Sequence, residues 1–293
     1  MANTFIKSEA WANVLQSVLR ESFVGKFITN NKFEGEFDGN DTVHFQRLAK
    51  IATSDMASSY SEIATQALVE TDETFTLDNR KAFSVAISDE DYKELKINPE
   101  TQVIQDAAEK FAKDWDNVIM SEYANAGYVI DDSDMETASN GGGNNSITLS
   151  KTNIYDMFTA VSEIMDTNNV PTDNRWIVVS PKEKRFLAKS PDLVRDTSMG
   201  DEIVVKGGGY IGMINDLKIY FSNNLKTASS VKHILAGQGK PISFAANIKP
   251  KVTFVGSETQ ATSFVNYLKA MTKFGVKTFA EGAERLVDVK VTA

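Results

Sequence analysis

The sequence predicts an α+β fold organised around one long helix, and three features carry that expectation. Residues 98–127, NPETQVIQDAAEKFAKDWDNVIMSEYANAG, place apolar side chains at intervals of three and four. The stretches on either side, 42–88 and from Glu202 onward, alternate with a period of two or run as short apolar blocks, the signature of strands. Between them lies one helix–strand–helix unit, which adds a mixed α/β subdomain.

The long helix is expected over 99–126. Pro99 suits a first turn, where its missing N–H would have had no partner, and Glu100 puts negative charge at the positive end of the helix dipole. Ile104, Ala107, Ala108, Phe111, Trp115, Val118, Ile119 and Tyr123 form one stripe, with Glu109, Lys110, Lys113, Asp114 and Glu122 largely opposite. Gly127 reads as a C-terminal stop. Such a rod would be on the order of 40 Å long.

Composition narrows the classes. A chain of 293 residues with 42% hydrophobic and 24% charged residues can bury a substantial core in one large domain or two. No apolar run approaches the ~20 residues needed to cross a bilayer. MANTFIKSEAW has no basic start leading into an apolar block, so no secretory signal is expected. The absence of cysteine excludes disulfides, thiol catalysis and cysteine–zinc sites. A formal charge of −9 argues against broad nonspecific nucleic-acid binding and leaves a local basic face open.

Taken in order, residues 4–23 read as a short amphipathic helix with Trp11, Val14, Leu15, Val18 and Leu19 inward and Ser8 as its cap. After a turn at Asp38–Asp41, Val43, Phe45 and Arg47 alternate with His44, Gln46 and Leu48. Thr74, Thr76 and Asp78 then oppose Phe75 and Leu77, and the alternation runs on through Phe83, Val85 and Ile87. Residues 42–88 are therefore expected to form a long ribbon that leaves the body and returns, with open edges that a neighbouring chain would cover. Residues 131–146 are acidic, then rich in glycine and asparagine, and read as a loop. Ile154, Met157, Phe158, Val161 and Ile164 mark a second helix; Asn174–Ser180 reads as a buried strand; Ser180-Pro-Lys-Glu183 is a capping box opening a third helix. Further on, Asn215-Asp216 is compatible with a tight hairpin turn and Gln238–Lys240 with a second turn; the chain closes on Leu286, Val287, Val289 and Val291.

Candidate chemical sites are weak. Gly207-x-Gly209-x-x-Gly212 spells a dinucleotide fingerprint, but strand-like alternation follows it where a helix should open, and no acid stands about twenty residues on. Asp131, Asp132, Asp134 and Glu136 lack the spacing of a calcium hand and read better as a solvated loop. His44 and His233, the only histidines, lie far apart in sequence. Ser180 is a helix cap rather than a nucleophile, and Asp89, Glu90 and Asp91 precede a short helix where acids are expected. No catalytic constellation, cofactor site or metal site is expected.

The order of phrases resembles the major capsid proteins of tailed bacteriophages. Lys32-Phe-Glu-Gly-Glu-Phe and Gly39-Asn-Asp-Thr-Val-His-Phe come first, then Glu73-Thr-Phe-Thr-Leu-Asp and Phe83-Ser-Val-Ala-Ile-Ser-Asp, similar to the returning strand of that family's extended loop. The long helix resembles its spine. Val170-Pro-Thr-Asp-Asn-Arg-Trp-Ile-Val-Val-Ser-Pro resembles the axial-domain strand, with Gly209-Tyr-Ile-Gly-Met-Ile and Leu217-Lys-Ile-Tyr-Phe-Ser-Asn-Asn-Leu as the hairpin after it; Ala283-Glu-Arg-Leu-Val-Asp-Val-Lys-Val closes the series.

This resemblance implies a shell subunit with an N-terminal arm (1–41), an extended loop (42–88), a peripheral domain carrying the spine (89–147), an axial domain (148–250) and strands returning to the peripheral domain (251–293). Copies would form hexamers and pentamers and close an icosahedral shell around double-stranded DNA in the virion, assembled in the bacterial cytoplasm. A portal protein and a decoration protein are implied partners. The chain has no room before Phe33 for a long scaffolding segment, so a separate scaffolding protein is expected. Phe75 and Leu77 are the expected subunit-interface residues, and Leu77→Asp is expected to spare folding and block assembly. Two alternatives stand beside this reading: an encapsulin-type nanocompartment shell and a nucleotide-dependent oxidoreductase using Gly207–Gly212.

Overall fold

The computed structural model describes residues 24–37, 40–51, 53, 55, 65–88, 90, 99–136, 145–190, 210–248, 253–255 and 264–293. The helix expected at 4–23 and the glycines 207–209 lie outside them. The first part of the chain contributes α1 (Gly25–Ile28), β1 (Thr29–Asn30), β2 (Thr42–Leu48), β3 (Glu70–Thr76) and β4 (Asn79–Ser88). The spine α2 (Pro99–Ile119) leads to β5 (Tyr128–Ile130), α3 (Ile154–Thr167), β6 (Arg175–Val179) and α4 (Pro181–Leu187). Then come β7 (Tyr210–Ile214), β8 (Leu217–Phe221), β9 (Thr227–Ala228), β10 (Val231–Gln238), β11 (Ile242–Ile248) and β12 (Thr253–Val255). The long β13 (Val265–Thr278), α5 (Ala280–Ala283) and β14 (Leu286–Thr292) complete the order.

The strands form two sheets and a ribbon. One sheet runs β1-β11-β13-β12, with β4 added along β13; the other runs β5-β14-β10-β6-β8-β7, with β9 beside β10; among the described residues β2 and β3 pair only with each other. The larger sheet is covered on both faces. Alternation along β6 sends Ile177 and Val179 towards α3 and Trp176 and Val178 towards the end of the spine, so every residue of this strand is buried. On the spine side, Trp115, Val118, Ile119 and Met120 join Phe244 and Phe274 of the smaller sheet in a second core. The hairpin at Asn215-Asp216 has φ of 45° and 62°, the left-handed pair that matches strand twist in a type I′ turn. The Tyr155 and Ser162 hydroxyls donate to Asn215 and fasten that turn to α3.

Several expectations change. The α-helix covers 21 residues, about 31 Å, and then tightens into a 3-10 turn at Met120–Asn125. Gly127 is not its stop: its N–H donates to the Ala283 carbonyl at 2.9 Å, and a Cβ there would lie 2.4 Å from that oxygen. The glycine is required by the close approach of another strand's lead-in. Ala108 is exposed, whereas Asp116 takes a fully buried place on the helix. The ribbon is also shorter than 42–88. It comprises β2 and β3 in register from Thr42↔Thr76 to Leu48↔Glu70, while β4 pairs with β13 from Asn79↔Phe274 to Ser88↔Val265 and belongs to the body. Likewise β5 lies in the larger sheet and β11 in the smaller, so neither sheet is a continuous piece of chain.

Gly275 on β13 marks where the ribbon meets the body. A Cβ at this position would sit 2.4 Å from the Thr76 carbonyl oxygen and about as close as any contact allows to the Phe75 and Leu77 side chains, at 3.0 and 3.1 Å. Gly275→Ala is expected to lower stability by about 2 kcal/mol, the ordinary cost of overpacking, read as a reduced urea midpoint. An unchanged midpoint would mean that the ribbon base is not seated there.

Candidate functional site

The ribbon and its seat are the candidate site. Period-two alternation turns Val43, Phe45 and Arg47 towards the body and leaves Thr42, His44, Gln46 and Leu48 outside. On β3 the same rule brings Phe75 inward, with Leu77 following. Phe75 and Leu77 are 0% and 2% exposed, packed with Phe37 and Ala245 and flanked by Phe33, Val43, Phe45 and Phe279. The rings meet edge to face: Phe37 and Phe75 at 5.0 Å, Phe33 and Phe45 at 4.7 Å, Phe45 and Phe279 at 5.2 Å. The period placed both residues on one face, and within the single subunit that face packs against the α5 entry and β11.

Polar contacts fasten the ribbon further along. Lys273, itself buried, pairs with Asp41 at the ribbon's root, and its ammonium holds the Asp41 carboxyl below the ordinary range. Arg47 donates to Glu73 at 3.2 Å, and the Ala280 N–H donates to the other Glu73 oxygen at 3.2 Å. Lys50 donates to both oxygens of Glu284 at 2.7 and 2.6 Å. Around this pair four apolar side chains of the ribbon, Leu48, Ile51, Leu68 and Val69, are exposed.

The other candidates resolve into structure. Gly212 lies in β7, antiparallel to β8, so the glycine motif runs into a strand edge rather than a helix N-terminus. Asp131 accepts from the Ser133 N–H and hydroxyl at 3.0 and 2.6 Å, and Asp134 accepts from the Asp131 N–H at 2.9 Å; these acids tie a 3-10 turn together. Among the described residues no group of three or more histidine or acidic side chains is placed to hold a metal ion. His44 pairs with Asp72 on the ribbon, whereas His233 pairs with Asp288 inside the larger sheet. The Glu183 carboxylate accepts from the Ser180 N–H at 2.9 Å and from its hydroxyl, confirming the cap, and Lys232 completes the charge at 3.1 Å. Of the acids at 89–91, only Glu90 is among the described residues.

Two buried carboxylates escaped the sequence reading. Asp116 accepts from the Gly25 N–H at 2.7 Å, the Val24 N–H at 3.4 Å and the Asn224 amide at 3.2 Å, joining the spine to α1 and to the segment after β8. Burial raises its carboxyl above the ordinary value of 3.8, against the pull of those donors. Asp288 is likewise raised by burial, although His233 donates to it at 2.8 Å. The His233 ring stacks on Tyr123 at 3.8 Å, at the rim between the spine's last turn and the larger sheet.

An interlocked two-sheet body crossed by a spine helix, with a ribbon bearing an open apolar end, is the architecture of tailed-phage capsid subunits. A structure from Mycobacterium phage Che8 matches with a TM-score of 0.75 at 19% identity, over 99% of this chain and 98% of that one. The capsid of cyanophage P-SCSP1u matches at 0.71 and 12% identity, covering 97% and 92%, and the cyanophage Pam1 capsid at 0.71 and 10%, covering all of both chains. No curated protein sequence matches significantly. The sequence profile described as "Phage capsid protein" matches residues 70–281, and the chain belongs to that family. It is a major capsid protein, a structural subunit whose place is the virion. No support comes from these matches for the encapsulin or oxidoreductase alternatives.

Proposed function

We propose that copies of this chain assemble as hexamers and pentamers into a closed icosahedral shell around double-stranded DNA, in the host cytoplasm, with no catalytic step and no cofactor. The observation that carries the reading is the open end of the ribbon. Leu48, Ile51, Leu68 and Val69 are exposed together on a two-stranded element with unpaired edges, a combination that calls for cover by another chain. A ribbon from one copy laid on the next is a head-to-tail contact, and such contacts close into rings. We place the subunit interface there rather than at Phe75 and Leu77. The division into arm, loop, peripheral and axial parts is kept as proposed from the sequence, with 79–88 moved from the loop to the peripheral part. A net charge of −9 suits DNA that is enclosed without being gripped. A separate scaffolding protein, a portal protein and a decoration protein are proposed as partners. No described helix is long and apolar enough to cross a membrane.

The test is electron microscopy of the protein expressed alone and together with a scaffolding partner. Shells with five-fold and six-fold clusters are expected in the second case; efficient closed shells from the chain alone would remove the scaffold from the proposal. Leu68→Asp is expected to keep the unfolding free energy from urea titration within about 0.5 kcal/mol of the parent, as surface changes do, and to abolish particles. Normal particles from that variant would take the ribbon end out of the interface.

A further inference from the structure

The ribbon end that a neighbour would take is tethered to its own subunit. Lys50 lies two residues beyond Leu48 and next to Ile51, and its ammonium grips both oxygens of Glu284 just after α5. That ammonium, with Arg47 and Arg285 nearby, holds the Glu284 carboxyl below the ordinary range. The turn carrying Glu284 is itself firmly seated. The Ala283 carbonyl accepts from Gly127, and a Cβ on Gly282 would lie 2.2 Å from the Pro241 carbonyl oxygen. The tether is of a different kind from the base of the ribbon. Phe75 and Leu77 are buried there, whereas the Lys50 and Glu284 side chains are 68% and 50% exposed. The base is therefore costly to move, and the distal ion pair is screened by water and salt.

We propose that the Lys50–Glu284 pair is a latch: it holds the ribbon against its own subunit while the chain is free, and it opens when a second copy of this chain takes the end bearing Leu48, Ile51, Leu68 and Val69. The identity of that partner rests on the shell reading above; the tether in the free subunit does not. Exposed ion pairs bias an equilibrium only modestly, so loss of the latch raises the free-ribbon population by up to about fivefold at low salt. At about 1 M salt, where screening acts within ~3 Å, the parent chain behaves as an unlatched one.

The cysteine-free sequence makes the test direct, because two introduced cysteines are the only labelling sites. Spin labels at Glu70→Cys at the distal end of the ribbon and Val129→Cys on the larger sheet, both exposed positions, report the distance between ribbon and body in the full chain held below the concentration that gives particles. One narrow distance is expected in the parent at low salt. A second, broader population is expected to grow up to about fivefold in Lys50→Ala, in Glu284→Gln and in the parent at high salt, with the double variant no different from either single. Light scattering of the unlabelled chains, each mixed with the scaffolding partner, is expected to show a shorter assembly lag for both single variants, an advantage that vanishes at high salt. A distance distribution unchanged by either variant overturns the latch. A changed distribution with an unchanged lag overturns its role in assembly. Failure of every chain, parent included, to form particles in any condition overturns the shell reading and the partner with it, while the distances still decide the tether.

Discussion

Leu77→Asp is expected to unfold the ribbon base before it has any chance to disturb assembly. The side chain is 2% exposed among Phe37, Phe75 and Ala245, so the change removes apolar packing and forces a carboxylate into an apolar site. Removing a buried leucine alone costs about 2–5 kcal/mol, and the uncompensated charge adds to that. A loss of about 5 kcal/mol is expected, a large share of the stability of an ordinary domain. The measurement is a urea titration of the soluble subunit followed by tryptophan fluorescence, with Leu77→Ala as the milder companion. A parent-like midpoint for Leu77→Asp would show that the ribbon base is open in solution, and it would restore Leu77 to the interface.

The second large effect belongs to Asp116. Asp116→Ala leaves the Gly25 and Val24 N–H groups and the Asn224 amide without their acceptor in a buried setting, at an expected cost of about 3 kcal/mol. Asp116→Asn keeps one acceptor oxygen and removes the charge, so it separates the two contributions by pH. Burial raises the Asp116 and Asp288 carboxyls above 3.8, so the folded chain binds these two protons at a higher pH than the unfolded chain does. Their contribution to stability therefore grows as pH falls from neutrality towards the ordinary carboxylate range, and it is lost again as pH rises through the raised values. Asp41 and Glu284 act in the opposite sense and lower down. Their carboxyls are held below 3.8 and 4.5 by Lys273 and Lys50, so what they contribute is lost as pH falls below those values, and their exposure keeps it small. The urea midpoint is expected to rise on mild acidification from about pH 7, with a shallower rise in Asp116→Asn. Identical slopes in the two chains would remove Asp116 as a source of the pH dependence.

What the sequence made legible is what repeats locally. The alternation in 42–48 and 73–77 told which side chains share a face, and Asn215-Asp216 and Ser180–Glu183 carried their turn and cap chemistry in a few residues. The parts that were not legible depend on partners far away in the chain. Nothing local marks Asp116, because its donors stand 91, 92 and 108 residues off. Gly127 looked like a helix stop because the carbonyl that needs the space belongs to Ala283. Residues 79–88 alternate just as the ribbon does, and only β13, which follows the spine and most other strands, decides that they belong to the body. The ribbon was visible as an element; its seat on 279–284 was not, because nothing in Phe45 or Lys50 says what they will lean on.

The position of β14 sets a timetable. It lies between β5 and β10, and its Val287, Val289 and Val291 are part of the core under α3. Every other strand of that sheet emerges from the ribosome before it. Until residues 286–292 arrive, β10 and β5 have a vacant lane between them and the core beneath is open to water. Non-local pairings of this kind are slow to form, so the larger sheet closes only once the last of its strands in chain order has been made. The core under α3 thus waits on the one strand that fills the lane between β5 and β10.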